Sequence, residues 1–280
     1  MTIQSHVCEI ARRMFVSTAD NNYILARSAF FNELDFDFYW LSLHALEKYF
    51  KAILLMNGKK AKDHSHDLLK LHAAVMKLDH RLPIGPLVDP KIDDVFWRNW
   101  PVERYLERLN RFGSADNRYA TYGYNLLLED LFKVDQLVWS VRRCCHPLRY
   151  TIDNGQREID HVSHLIRDKN HWTMTGVSLP IEKLLARPTD NAHRAAFLRL
   201  NMAFAPKATH VVTSWRISST NSPLAVWFER LKAKHGSRTR TRDERRIAAE
   251  VLTWAADHIR FNRSDENEIR AALAQRKRRR

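Results

Sequence analysis

The chain has 280 residues, 45% hydrophobic and 10% aromatic, and 46 Lys/Arg against 32 Asp/Glu give it a formal net charge of +14. That apolar supply excludes bulk disorder, and seven glycines with nine prolines disfavour a many-turned all-β fold. No stretch approaches the roughly 18 apolar residues of a membrane span, and Glu9, Arg12 and Arg13 stand where a secretory leader is apolar.

Taken in order, the first element is a helix on which Val7, Ile10, Ala11, Met14, Phe15, Ala19, Leu25 and Ala29 recur near the 3.6 period. Asp35 or Asp37 caps a second helix, which turns Phe36, Tyr39, Trp40, Leu43, Leu46, Phe50, Ile53 and Leu54 inward and stops at Asn57-Gly58. A third, capped near Asp63 or Ser65, repeats Leu68, Leu71, Val75, Leu78 and Leu82. Pro83, Pro86 and Pro90 mark a connection. Pro101 then opens a helix with Val102, Tyr105, Leu106, Leu109 and Phe112 on one stripe, ended by Gly113. Leu127, Leu131, Val134, Val138 and Val141 define the last strong helix before Pro147.

Beyond residue 150 the pattern weakens. Short helices are expected over 179–186 and 192–204, a brief strand is conceivable at 210–213, and Ser222-Pro223 opens a helix with Trp227, Phe228 and Leu231. A polar linker over 236–242 precedes a helix bearing Ile247, Val251, Leu252, Ala255 and Ile259, and residues 270–280 read as a charged, fraying end. The fold class is all-α: an up-and-down bundle over 1–150 with a core that includes Trp40, Leu43, Phe50, Leu71, Leu131 and Val138, and a basic helical elaboration over 151–280. Trp40, Trp139, Trp227 and Trp254 all read as core. Three cysteines without a CxxC spacing suit a reduced, cytoplasmic chain.

Charge is unevenly shared. Residues 1–150 hold 21 Lys/Arg against 18 Asp/Glu, whereas residues 151–280 hold 25 against 14. Such a field draws phosphate polymers. In the first half, His44, Glu47, Lys48 and Lys51 share one face of the second helix. His64, His66 and Asp67 follow at the opening of the third, where free backbone N–H groups favour an anion. Lysines, histidines and a helix start together suggest a phosphate pocket. The plainer alternative is that Glu47 pairs with Lys51 while His66 braces the bundle. Nothing resembles a Walker loop or a dinucleotide fingerprint. His64-x-His66 has no placed third ligand, so neither a metal nor a cofactor is expected.

The run Ala45-Leu46-Glu47-Lys48-Tyr49-Phe50-Lys51-Ala52-Ile53-Leu54-Leu55, then Gly58, then His66-Asp67-Leu68 with Leu71, resembles the HEPN superfamily of nucleotide-binding helical domains. Asp116-Asn117-Arg118-Tyr119 with Tyr122 is similar to the segment before that family's last helix. The resemblance spans about residues 7–145. It implies a HEPN-like bundle, homodimerisation, and a nucleotide or RNA ligand held by Lys48, Lys51, His64, His66, Asp67, Arg118 and Tyr119, in a toxin–antitoxin or defence setting.

Many HEPN members are metal-independent endoribonucleases that use Arg-x(4–6)-His. Here that spacing occurs at Arg157/His164, Arg187/His193 and Arg230/His235. Chance supplies as many in a chain so rich in both residues, and the residues after the arginines (Glu158, Pro188, Leu231) are not the favoured kinds. Arg157 and His164 are the best of the three, a seven-residue step that places both on one helical face. The expectation is therefore nucleotide or RNA binding without cleavage. The alternatives are an endoribonuclease with a rebuilt site, drawing on His64, His66 or His72 with Lys48 or Arg118, and an interaction module for a nucleotidyltransferase-type partner.

Overall fold

The computed structural model describes residues 3–64, 66–92, 95–117, 120–121, 123–152, 156–168, 178–205, 217–221, 224–232, 242–259 and 263–278. The chain is mostly helical. Helix α1 (Ile3–Ala11) passes through a π turn at Arg12–Val16 into α2 (Ser17–Phe31). Helix α3 (Asp35–Met56) has Leu34 at its N-cap, with no side-chain cap bond, and not Asp35 or Asp37, which lie inside its first turn, where the dipole favours acids; it closes at Asn57. Gly58 follows at φ 70°, a left-handed position that costs glycine nothing. Phe38, Tyr39, Leu46, Tyr49, Phe50 and Ile53 of α3 are fully buried, so this helix is the axis of the bundle.

Helix α4 (Leu68–Met76) begins later than expected. Its cap is Asp67, whose carboxylate accepts from the Leu69 and Lys70 N–H groups, and not Asp63 or Ser65. Leu78 and Leu82 lie beyond its end. Helix α5 (Val102–Phe112) ends at Gly113, where a Cβ would stand 2.4 Å from the Tyr39 carbonyl oxygen, so only glycine permits that approach to α3. Helix α6 spans Leu128–Arg143.

Short strands qualify the all-α expectation. Strand β1 (Gly123–Leu127) pairs with β4 (Ile217–Asn221), and β2 (Arg149–Ile152) runs antiparallel to β3 (Arg157–Asp160) with Tyr150 opposite Ile159. Asp160 caps α7 (His161–Arg167). The expected shared helical face of Arg157 and His164 is thereby corrected: a strand pairing takes Arg157, and the helix carrying His164 starts only at 161. Helix α8 (Pro180–Leu185) falls where a short helix was expected, and α9 (Ala192–Leu198) starts where expected but ends six residues before 204. The strand considered at 210–213 lies outside the described residues.

By contacts the chain forms two compact units, Met1–Ser114 with Leu126–Ser218, and Ala115–Asn125 with Ser219–Arg280. The first unit buries charge inside its bundle. Arg142 donates from Nε and Nη2 to both oxygens of Asp20 (2.8 and 2.9 Å) and from Nη1 and Nη2 to Glu182, while Tyr49 Oη donates to Asp20 at 2.6 Å. Asp135 accepts from Tyr23 and Arg27, and Asp130 from Arg108. Lys133 pairs with Glu129 beneath the rings of Trp97 and Trp100.

The second unit is built from α10 (Ala225–Lys232), α11 (Arg242–His258) and α12 (Arg263–Arg278) around Leu231, Ala248, Ala249, Leu252 and Ile269. The expected fraying end is helical as far as Arg278. Of the expected core, Leu43, Phe50, Leu71, Leu131 and Val138 are buried. Trp40 is half-buried against Phe36, whereas Trp254 is 56% exposed and stacks on His258. Ile10, Met14 and Leu25 also face outward. Among the described residues no helix is long and apolar enough to cross a membrane.

Candidate functional site

The polar face of α3 meets the turn that precedes α4. Steps of three and four residues put His44, Glu47 and Lys51 side by side, and the Asp67 cap fixes where His66 leaves the turn. Asn110 of α5 locks that cap, donating to Asp67 at 3.0 Å and accepting the Leu68 N–H at 2.9 Å. Glu47 is the hub. Its Oε2 lies 3.0 Å from Nδ1 of His44 and 3.0 Å from Nδ1 of His66, and its Oε1 accepts from Lys51 Nζ at 2.6 Å.

The electrostatics follow from that contact set. Burial alone penalises the charged carboxylate, yet hydrogen bonds from His44, His66 and Lys51 overcome the penalty and bring its pKa down to about 2. Glu47 is therefore an anion at neutral pH. Its side chain is 6% exposed and that of His44 18%, against 74% for His66, so the cluster is closed on one side and open on the other. The His44 ring packs edge-on against Trp40 at 4.2 Å and stands perpendicular to the His66 ring at 5.9 Å.

The structure sorts the expected ligand residues into groups. Lys51, His66 and Asp67 lie together around Glu47 and the α4 cap, which is also the arrangement of the plainer ion-pair alternative. Lys48 turns to α2, where Nζ donates to Asn22 Oδ1 at 2.9 Å, and burial lowers its pKa. His64 sits half-buried in a short turn at Lys62–His64. His72 is buried on α4 against Phe50, and its Nδ1 is 3.7 Å from Glu103. Arg118 and Tyr119 lie outside the described residues. His164 is exposed and interacts with Arg167 at 3.3 Å.

The anion reading leaves His44 and Glu47 out of the ligand set, although both stand on the polar face of α3. The signal available was the i,i+3 step; the convergence with His66, 19 residues later than Glu47, was not local. A separate cleft of about 670 Å³ lies where the end of α3 meets β2, lined by Asn57, Asp79, Leu148 and Arg149 among others and by none of the expected ligand residues. Compared with known proteins, the chain has no match to any family model, curated protein or solved structure.

Proposed function

We propose that the protein binds nucleotide or RNA through electrostatic capture by its basic C-terminal region. One observation carries this reading: residues 219–280 hold 16 Lys/Arg against 8 Asp/Glu, so this short stretch supplies more than half of the chain's net charge. Among the charged residues of this stretch whose side chains are described, none is buried, so the field of these groups reaches solvent. Displacement of counterions from a single strand makes such binding fall with salt by roughly 0.7 log units per phosphate contact for each log unit of salt. The HEPN-like run across α3 and α4 supports the same ligand class.

The test is a fluorescence titration of the full-length protein with a short labelled single-stranded RNA across a salt series. Expected are binding at low salt, a steep loss as salt rises, a flatter slope once residues 276–280 are removed, and RNA recovered intact. No binding at low salt, or a slope indifferent to that deletion, overturns the proposal. Cleaved RNA transfers the assignment to the endoribonuclease alternative.

A further inference from the structure

We propose that His44, Glu47 and His66 form a binding site for one divalent transition-metal ion of the zinc class. The three ligand atoms, two imidazole nitrogens and one carboxylate oxygen, all lie within 4.8 Å of one another. Each nitrogen is 3.0 Å from the same oxygen, Glu47 Oε2. A tetrahedral ion holding nitrogen and oxygen at about 2.0–2.1 Å keeps its ligand atoms roughly 3.3 Å apart. Binding therefore lengthens each Glu47 contact by a few tenths of an ångström and sets the nitrogen–nitrogen separation, now no more than 4.8 Å, at roughly 3.3 Å. His66, the exposed member on a turn, is the one able to make that shift.

The surroundings supply part of what a metal ligand set requires, although His44 Nε2 is buried without an outer hydrogen-bond partner. Lys51 holds the second oxygen of Glu47, which orients Oε2 toward the histidines as an outer partner does in metal sites. His44 is wedged by Trp40, so two of the three ligands are rigid before an ion arrives. With three protein ligands among the described residues and an open face beside His66, a fourth position is left for water or another donor. Two imidazoles with a carboxylate select zinc, cobalt, nickel or copper over magnesium and calcium, which take oxygen. Binding replaces the two Nδ1–H hydrogen bonds to Glu47 Oε2 by two nitrogen–metal bonds, the ring protons passing to Nε2. Metal binding here does not depend on RNA binding by residues 219–280.

The test uses the full chain, stripped with a chelator and titrated with Co2+, whose visible d–d absorption reports tetrahedral coordination. Metal content is measured separately by mass spectrometry after equilibrium dialysis with Zn2+. Expected are one Co2+ per chain with a tetrahedral spectrum, its displacement by one equivalent of Zn2+, and affinity about tenfold or more weaker in His66→Ala and in Glu47→Gln. Since His66 is exposed, His66→Ala should melt like wild type, which separates loss of the site from loss of the fold. His6→Ala, at an exposed histidine of α1, should bind as wild type does. Co2+ binding without the tetrahedral spectrum, equal affinity in wild type and His66→Ala, or loss of the ion in His6→Ala overturns the proposal.

Discussion

The two compact units solve the burial problem in opposite ways. In the first, charged side chains lie inside the bundle: Asp20, Arg27, Glu129, Asp130, Lys133, Asp135 and Arg142 are all nearly inaccessible. In the second, the described interior is aliphatic, and the ion pairs, such as Arg246 with Glu250 and Arg270 with Glu266, stay on the surface. Buried ions carry a desolvation penalty of several kcal/mol each, so every member of such a network must keep its partner. Surface pairs in high dielectric contribute about 1 kcal/mol or less. Sequence change should therefore be tolerated very differently in the two.

The sharpest way to break the comparison is at Arg142, the joint between Asp20 on α2, which also accepts from the Tyr49 hydroxyl, and Glu182 on α8. Arg142→Met leaves Asp20 buried without its cation. The expected loss is about 3–5 kcal/mol, read from urea denaturation. The double variant Asp20→Asn with Arg142→Met should recover part of that loss, because Asp20, the more deeply buried of the two carboxylates that Arg142 serves, is then neutral. Equal stability of wild type and Arg142→Met would remove the distinction between the units.

Acid should act next. His146 is kept neutral chiefly by burial, then by His161, whose ring centroid is 4.6 Å away, and by Arg12; together they bring its pKa down to about 4. A histidine whose pKa is lowered on folding stabilises the native state above its unfolded value near 6.5. That contribution is lost as pH falls from there toward about 4, with no further loss below. The change amounts to about 3 kcal/mol at most and belongs to the His146–His161 pair jointly. Hydrogen exchange between pH 7 and pH 4.5 should show α6 and α7 losing protection before α11 does. Loss in the reverse order would contradict the assignment.

The smallest effect is expected at Arg246→Ala, which removes an exposed pair between neighbouring turns of α11. Stability should change by no more than the error of a urea denaturation, and by still less in high salt. A loss comparable to that of Arg142→Met would mean that the second unit also relies on its charges.

Local rules in the amino-acid sequence determined where most helices of the bundle begin and end. The start of α3 at Asp35, its stop before Gly58, and the Pro101–Gly113 frame of α5 follow from dipoles, left-handed glycine and fixed proline φ, all of which act within a few residues. Periodicity likewise identified Leu43, Phe50, Leu131 and Val138 as core. It misjudged Trp254 and Met14, because a stripe says which residues share a face and not whether a neighbour covers that face. The polar face of α3 was equally visible, including both Glu47 and Lys51. Only the tertiary structure decided what that face meets. Glu47 acquires His66 from another element, Lys48 turns to Asn22, and Asp20 finds Arg142 across 122 residues of chain. Counter-charges over such separations are chosen by the packing of helix on helix, where low dielectric makes each pairing strong, and no spacing rule along the chain encodes them.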